Sequence, residues 1–253
     1  MSTTPSTAHQ PFSAPAPVSL TERRKAETRM EIARAAAALF VQQGLRATRA
    51  EDIAQAAGIA PRTFYRYFAT KEEAVAPLYA AGAQRWTEAV RTAPAHLTLP
   101  QALEHAVHHT LTPGLGVSAA SWEWLRTLVR LADTSPALRK VWAEVCQTSE
   151  GALAEILVRR AEAAGRAASL TPHLRFAAAV AGAAVRVAVE SWAATTTPPT
   201  GPDGPAALAL RNLRALRTFE WGERGSPGGG GEGPGGGGEG PGGPGSGEAC
   251  RAR

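Results

Sequence analysis

Five side chains in one short stretch carry the most specific chemistry in the sequence. Arg62, Thr63, Tyr65, Arg66 and Tyr67 are interleaved with Phe64 and Phe68, which lie four residues apart. On a helix that spacing sends both rings to one side and leaves the polar set on or near the other. Two guanidiniums, a threonine and two phenols suit the major groove of DNA. Arginine donates in pairs to guanine O6 and N7, threonine meets a thymine methyl, and tyrosine hydroxyls reach phosphate oxygens. A solvated helix face uses the same residue types, so the elements that position these residues must decide between the two readings.

Those elements are legible from Ala47 to Val75, ATRAEDIAQAAGIAPRTFYRYFATKEEAV. Thr48 and Glu51 have the spacing of a capping box that starts a helix, and Thr70 and Glu73 repeat it at the next long one. Ile53 and Ala57 give the first short helix an apolar face, Gly58 permits a tight turn, and Pro61 opens the second. Two short helices joined at a glycine after a long first helix form a helix-turn-helix pattern. Ile32, Ala36 and Phe40 of the first helix are placed to build a small core with Phe64 and Phe68.

This stretch closely resembles the N-terminal domain of the TetR family of transcriptional regulators. The Thr before E-D-I-A, the A-A-G-I turn, the T-F-Y-R-Y-F helix and the following K-E-E stand in that family's order, over about residues 22–76. The resemblance implies phosphate contacts from Thr48, Lys71 and Tyr67, and groove contacts from Arg62, Thr63, Tyr65 and Arg66. Arg49 is a further backbone candidate, and Arg23, Arg24, Lys25 and Arg29 form a basic arm. Two positions depart from the pattern. Ala60 stands where the recognition helix usually has a serine cap, forfeiting about 1 kcal/mol of capping. Pro77 falls inside an expected fourth helix, where it removes a hydrogen bond and predicts a kink in the helix that links the head to the rest of such subunits.

Residues 92–220 contain no Gly-rich phosphate loop, no G-x-S-x-G, no H-E-x-x-H and no cysteine pair, so an enzyme is not expected. They do concentrate large rings: Trp122, Trp124, Trp142, Phe176 and Trp192. Such rings fill cores, but as a group they also suit the wall of a pocket for a flat or acyl-chain ligand, with Arg126, Arg130 or Arg175 offering a cation. The segment W-E-W-L-R-T-L-V-R-L-A-D-T-S-P-A-L-R is similar to the C-terminal domain of an actinobacterial TetR subgroup with acyl-CoA-like ligands. The expected pocket is therefore Trp122, Trp142, Phe176, Trp192 and Arg126. Ala177, Ala181, Ala184 and Ala188 form a small-residue stripe that, with Leu208, Leu213 and Leu216, is a candidate four-helix dimer seam or else an intrasubunit packing face. His105, His108 and His109 form the single metal-like cluster, but too few ligands converge to expect a metal. No cofactor is expected.

Composition sets the frame. The chain has 253 residues, 27 Lys+Arg against 22 Asp+Glu, and 26 Gly, of which sixteen fall in 222–247 around two GGGGEGP repeats. That tail, 222–253, and the Pro-rich, charge-free arm 1–20 are expected to be disordered. What remains is rich in Ala, Leu, Arg and Glu without strand-like alternation, predicting an all-α fold of about nine helices, roughly 21–43, 49–56, 61–68, 71–91, 99–111, 118–132, 136–164, 172–194 and 205–219. The head is 21–70 and a larger helical ligand-binding and dimerisation domain is 71–221. Residues 21–91 hold 12 basic and 8 acidic side chains, so the positive surplus sits on the head. Two cysteines, no leader-like start and no apolar run long enough to cross a bilayer point to the cytoplasm and away from membranes. The combined expectation is a homodimeric, ligand-responsive regulator, a repressor that holds a palindromic double-stranded DNA operator until a small molecule releases it. The alternatives are a nucleoid-type protein that binds DNA without an operator, and an enzyme on a helical scaffold using His105 and His109.

Overall fold

Prolines and caps set the helix starts. Ser135 and Thr171 accept from the N–H groups of Leu138 and Leu174 at 3.4 and 3.2 Å, Thr98 and Gln101 cap each other reciprocally, and each of these helices has proline in its first turn. The computed structural model describes residues 19–114, 119–165 and 171–216. Among them are nine α-helices and no strand: α1 (Leu20–Gln43), α2 (Ala50–Ala56), α3 (Pro61–Tyr67), α4 (Ala76–Thr92), α5 (Leu99–Leu111), α6 (Ala119–Thr134), α7 (Pro136–Ala163), α8 (Pro172–Ala193) and α9 (Pro205–Ala215). The all-helical expectation holds. The expected disordered tail, and the arm up to residue 18, lie outside the described residues.

Pro77 does not kink a helix. The chain passes through a 3₁₀ turn at Glu73–Val75 and α4 begins at Ala76, so the proline occupies the first turn, where its missing N–H costs nothing. The expected single helix over 71–91 is two elements.

Two large cores organise the helices. One joins α4, α5, α7, α8 and α9 through residues such as Val90, Leu103, Leu157, Ala181 and Leu210. The alanine stripe belongs here: Ala177, Ala181, Ala184 and Ala188 are buried inside the subunit, where their small size lets α7 and α9 pack closely on α8. The stripe is therefore an intrasubunit face and not the dimer seam. Helix α8 is long and apolar enough to cross a membrane, contrary to the sequence estimate, and its buried stripe is that of a core helix. The second core starts at Ile32, Ala36, Phe40, Phe64 and Phe68 of the head and continues through Val75 and Tyr79 to Leu128, Leu138 and Val141 of α6 and α7.

One arginine clasps the turn after α4. The Arg160 guanidinium donates to the carbonyls of Ala93 at 2.8 Å and Pro94 at 3.0 Å, with longer bonds to Val90 and Leu97. These carbonyls lack helical partners, so the guanidinium replaces the missing helix hydrogen bonds. Arg160→Ala is expected to destabilise the fold by about 2–3 kcal/mol, with Arg160→Lys recovering part of the loss, as read by urea unfolding.

Candidate functional site

The helix-turn-helix forms where the spacing predicts it. Gly58 sits at φ +68°, and the turn is closed by Gly58 N–H to Gln55 O and Ile59 N–H to Ala54 O at 3.0 and 2.9 Å. Phe64 is fully buried and Phe68 nearly so, with ring centroids 5.9 Å apart. Anchoring α3 by these rings leaves Arg62, Tyr65 and Arg66 exposed and Thr63 and Tyr67 half-buried. The uncapped start at Ala60 is serviced by its own carbonyl, which accepts from Thr63 and Phe64 N–H.

The two caps differ in detail from the sequence expectation. The N-cap of α2 is Arg49, whose N–H donates to the Asp52 carboxylate at 2.8 Å. Thr48 is not the cap. Its side chain is fully buried, donates to Gly44 O at 2.8 Å and accepts from Gln43 Nε2, so the hydroxyl expected at a phosphate is committed to the end of α1. The second pair forms only in part, with Glu73 N–H donating to Thr70 Oγ1 while the Glu73 carboxylate accepts from Ala69 N–H, so the two residues tie the segment leading into the 3₁₀ turn and do not cap α4. Lys71 is likewise engaged: its ammonium donates to Leu45 O and Thr48 O, both at 2.7 Å, fastening the α1–α2 connection from below. Arg49 is exposed beside Glu51, and Tyr65 reaches the same carboxylate at 3.4 Å. Arg29 lies over the Phe68 ring, which ties part of the basic arm to the recognition helix.

Behind the head lies a cavity of about 340 Å³, within the range of small-molecule sites. Its wall takes Met30 and Arg34 from α1, Tyr79 and Trp86 from α4, Trp122 and Trp124 from α6, Trp142 and Cys146 from α7, and Arg186 from α8. Of the expected pocket residues, Trp122 and Trp142 line it. Trp192 is fully buried outside it, edge-on to Trp122 at 5.5 Å, and donates to Thr197 and Pro198 carbonyls. Arg126 covers the Trp192 ring at 4.3 Å and donates to Thr197 O, so this pair pins the segment after α8 instead of facing a ligand. Phe176 is 58% exposed on α8 and outside the wall. The cations at the wall are Arg34, Arg85 and Arg186, which sequence spacing did not single out.

The polar side of the wall is ordered. Trp142 Nε1 donates to Glu190 Oε1 at 2.7 Å, Arg186 pairs with the same carboxylate at 3.3 Å, and Tyr79 packs edge-on to Trp142 while its hydroxyl donates to Leu128 O at 2.9 Å. Burial pushes the Cys146 thiol up to about 12, against the opposing pull of Arg186. It is therefore a protonated, poorly nucleophilic wall residue. The histidines give no ligand set: His105 and His109 stack at 6.4 Å, both exposed, and no metal-like group of three occurs among the described residues.

Comparison with known proteins fits this geometry. The family model for "Bacterial regulatory proteins, tetR family" matches residues 32–76. The HTH-type transcriptional regulator TcmR of Streptomyces glaucescens is 32% identical over 178 residues, covering 68% of this chain and 76% of that regulator. The chain belongs to the TetR family. The HTH-type transcriptional repressor KstR2 of Mycobacterium tuberculosis is 51% identical over 47 residues, 19% of this chain and 24% of its own. Among solved TetR-family structures, Thermus thermophilus FadR in complex with lauroyl-CoA is 25% identical with a TM-score of 0.51, covering 80% of this chain and all of that one. A regulator from Mesorhizobium loti shares the fold at 19% identity and a TM-score of 0.51, over 77% of this chain and 97% of its own.

Cys146 gives a direct probe of the cavity wall. In a Cys250→Ser variant it is the single thiol left. At pH 8 its alkylation by iodoacetamide should run about a thousandfold slower in the folded protein than in urea, because so little thiolate is present. Equal rates would mean that the thiol is not desolvated in the folded protein.

Proposed function

We propose that this TetR-family regulator is a cytoplasmic repressor that binds a pseudo-palindromic operator as a homodimer and is released by a small molecule held in the helical body. The observation that carries this reading is the presentation of α3: two buried phenylalanines fix the helix while Arg62, Tyr65 and Arg66 stand exposed on its outer side. Arg62, Thr63, Tyr65 and Arg66 contact base edges, and Arg49 and Tyr67 contact phosphates. Thr48 and Lys71 act by holding the entrance to α2, leaving Lys71 a secondary electrostatic role.

The dimer uses the outer face of α8. Phe176 and Val187 are 58% and 44% exposed, and Val180 and Ala183 lie between them at helical spacing, giving an apolar strip that flanks the buried alanines. Pairing two such strips makes a four-helix seam with α9 and sets the heads one helical turn of DNA apart. Val187→Glu is expected to shift the protein from dimer to monomer in sedimentation analysis and to weaken operator binding. A dimer unaffected by it would place the seam elsewhere.

Release follows from the shared core. The cavity wall includes Met30 and Arg34, which belong to the first helix of the head, so occupancy changes the seat of the head itself. Footprinting upstream of the protein's own gene tests the reading. Protection is expected at low salt and should persist at physiological salt against random DNA; no protection at either salt, or protection of any sequence alike, refutes an operator-specific regulator. Arg62→Ala and Arg66→Ala should each relax base preference by about 1–3 kcal/mol at one position, whereas Arg49→Ala should weaken binding to all sequences equally.

A further inference from the structure

An acidic side chain stands on the face of the head that presents its arginines and tyrosines. Glu51 is exposed in the first turn of α2, and among the described residues its carboxylate touches two other exposed side chains of that face. Oε2 lies 3.5 Å from Arg49 Nε, and Oε1 accepts from the Tyr65 hydroxyl of α3 at 3.4 Å. The neighbouring acids have backbone duties instead. Asp52 accepts from Arg49 N–H and Glu73 from Ala69 N–H, and α3 itself contains no acidic residue. Glu51 is thus the carboxylate that spans the two short helices, between a cation and a phenol aimed at DNA.

An anion in that position opposes binding. Duplex DNA carries one negative charge per about 1.7 Å of its axis, so Glu51 raises the energy of every complex that leaves it facing acceptors. Its pairing with Arg49 also draws a cation away from phosphate. A hydrogen-bond donor relieves the opposition, and base edges in the major groove supply two: the exocyclic amines of cytosine N4 and adenine N6. Adenine N6 lies between its own N7 and thymine O4, both acceptors that repel a carboxylate. Cytosine N4 has an acceptor on one side only, guanine O6. A carboxylate offers about four lone-pair sites, so contacts with Tyr65 and Arg49 leave room for an amine on it.

We propose that Glu51 is a specificity-determining residue, which accepts from the N4 amine of a cytosine next to the bases read by α3 and penalises duplexes with another base there. This rests on the reading of α3 as the helix that enters the major groove. Tyr65 and Arg49 hold the carboxylate in place, so one base pair of each half-site is selected by a residue outside the recognition helix. The same charge that selects cytosine weakens the grip on all other DNA.

The test selects binding sites from a randomised duplex pool with full-length wild type, Glu51→Ala and Glu51→Gln. Affinities are then measured at physiological salt for the selected duplex, its single-base variants and random DNA. Wild type is expected to enrich a cytosine that Glu51→Ala no longer prefers, with discrimination at that pair falling about tenfold. Glu51→Gln should move the preference to adenine, because a carboxamide donates to N7 and accepts from N6. With the repulsive charge gone, Glu51→Ala should bind random DNA about threefold more tightly. N4-methylcytosine at the selected position puts a methyl where the carboxylate accepts. It should weaken wild type about tenfold and leave Glu51→Ala unchanged. Urea midpoints establish that the variants are folded; if either unfolds, the wild-type response to N4-methylcytosine decides alone. A wild-type site without a preferred cytosine, or wild type indifferent to N4-methylcytosine at each preferred one, overturns the proposal. Unchanged base preferences in both folded variants, or a uniform loss of affinity for every sequence, overturn it too. Those outcomes leave the regulator reading standing, whereas enrichment of no sequence by wild type removes that reading and the proposal with it.

Discussion

The packing of Phe64 and Phe68 against the first helix is the constraint on which everything else here depends. A seven-residue helix is too short to be stable by itself, and α3 has no side-chain cap. It exists because its two rings enter a core with Ile32, Ala36 and Phe40. That same insertion fixes the rotation of α3 about its axis, and hence which residues face outward. Orientation of the recognition surface and stability of the head are one packing event.

The core does not end at the head. Through Val75 and Tyr79 it runs into α6 and α7, so head and body share side chains instead of meeting at a hinge. Tyr79 occupies the junction: its ring packs on Trp142 in the cavity wall and its hydroxyl holds the backbone of α6 at Leu128. A displacement of Trp142 or Leu128 is felt by α4 directly, and close-packed interiors transmit such displacements as discrete shifts. The 3₁₀ turn at Glu73–Val75, with Pro77 just beyond it, sets the direction in which α4 leaves the head.

The fold was readable in the sequence because its signals are local. The glycine turn, the Ser135, Thr171 and Thr98 starts and the phenylalanine pair depend on residues within one or two turns of each other, and the structure has them where the pattern puts them. The local signals failed by one position at Thr48, where a tertiary contact to the α1 terminus outcompetes capping. Long-range questions were less legible. Whether a tryptophan fills a core or lines a cavity depends on which helix lies opposite, and Trp142 and Trp192 differ in nothing their own neighbours in sequence reveal. Tyr79, Trp86 and Arg186 escaped notice for the same reason: two helices far apart in sequence, α4 and α8, bring them to one wall. A stripe of alanines states that something approaches closely, and here the approaching helices are the subunit's own.

Helix α1 contributes Ile32, Ala36 and Phe40 to the seat of the recognition helix and Met30 and Arg34 to the cavity wall. On the proposed reading of the cavity as the effector site, two functions are written on alternate sides of a single helical turn or two, with no spacer between them. A mutation on that stretch selected for a new ligand will also retune the grip on DNA, and a mutation selected for a new operator will retune the response to ligand. Diversification of one property in this lineage has to be paid out in compensating changes to the other, which ties the evolution of chemical recognition to that of the genes it governs.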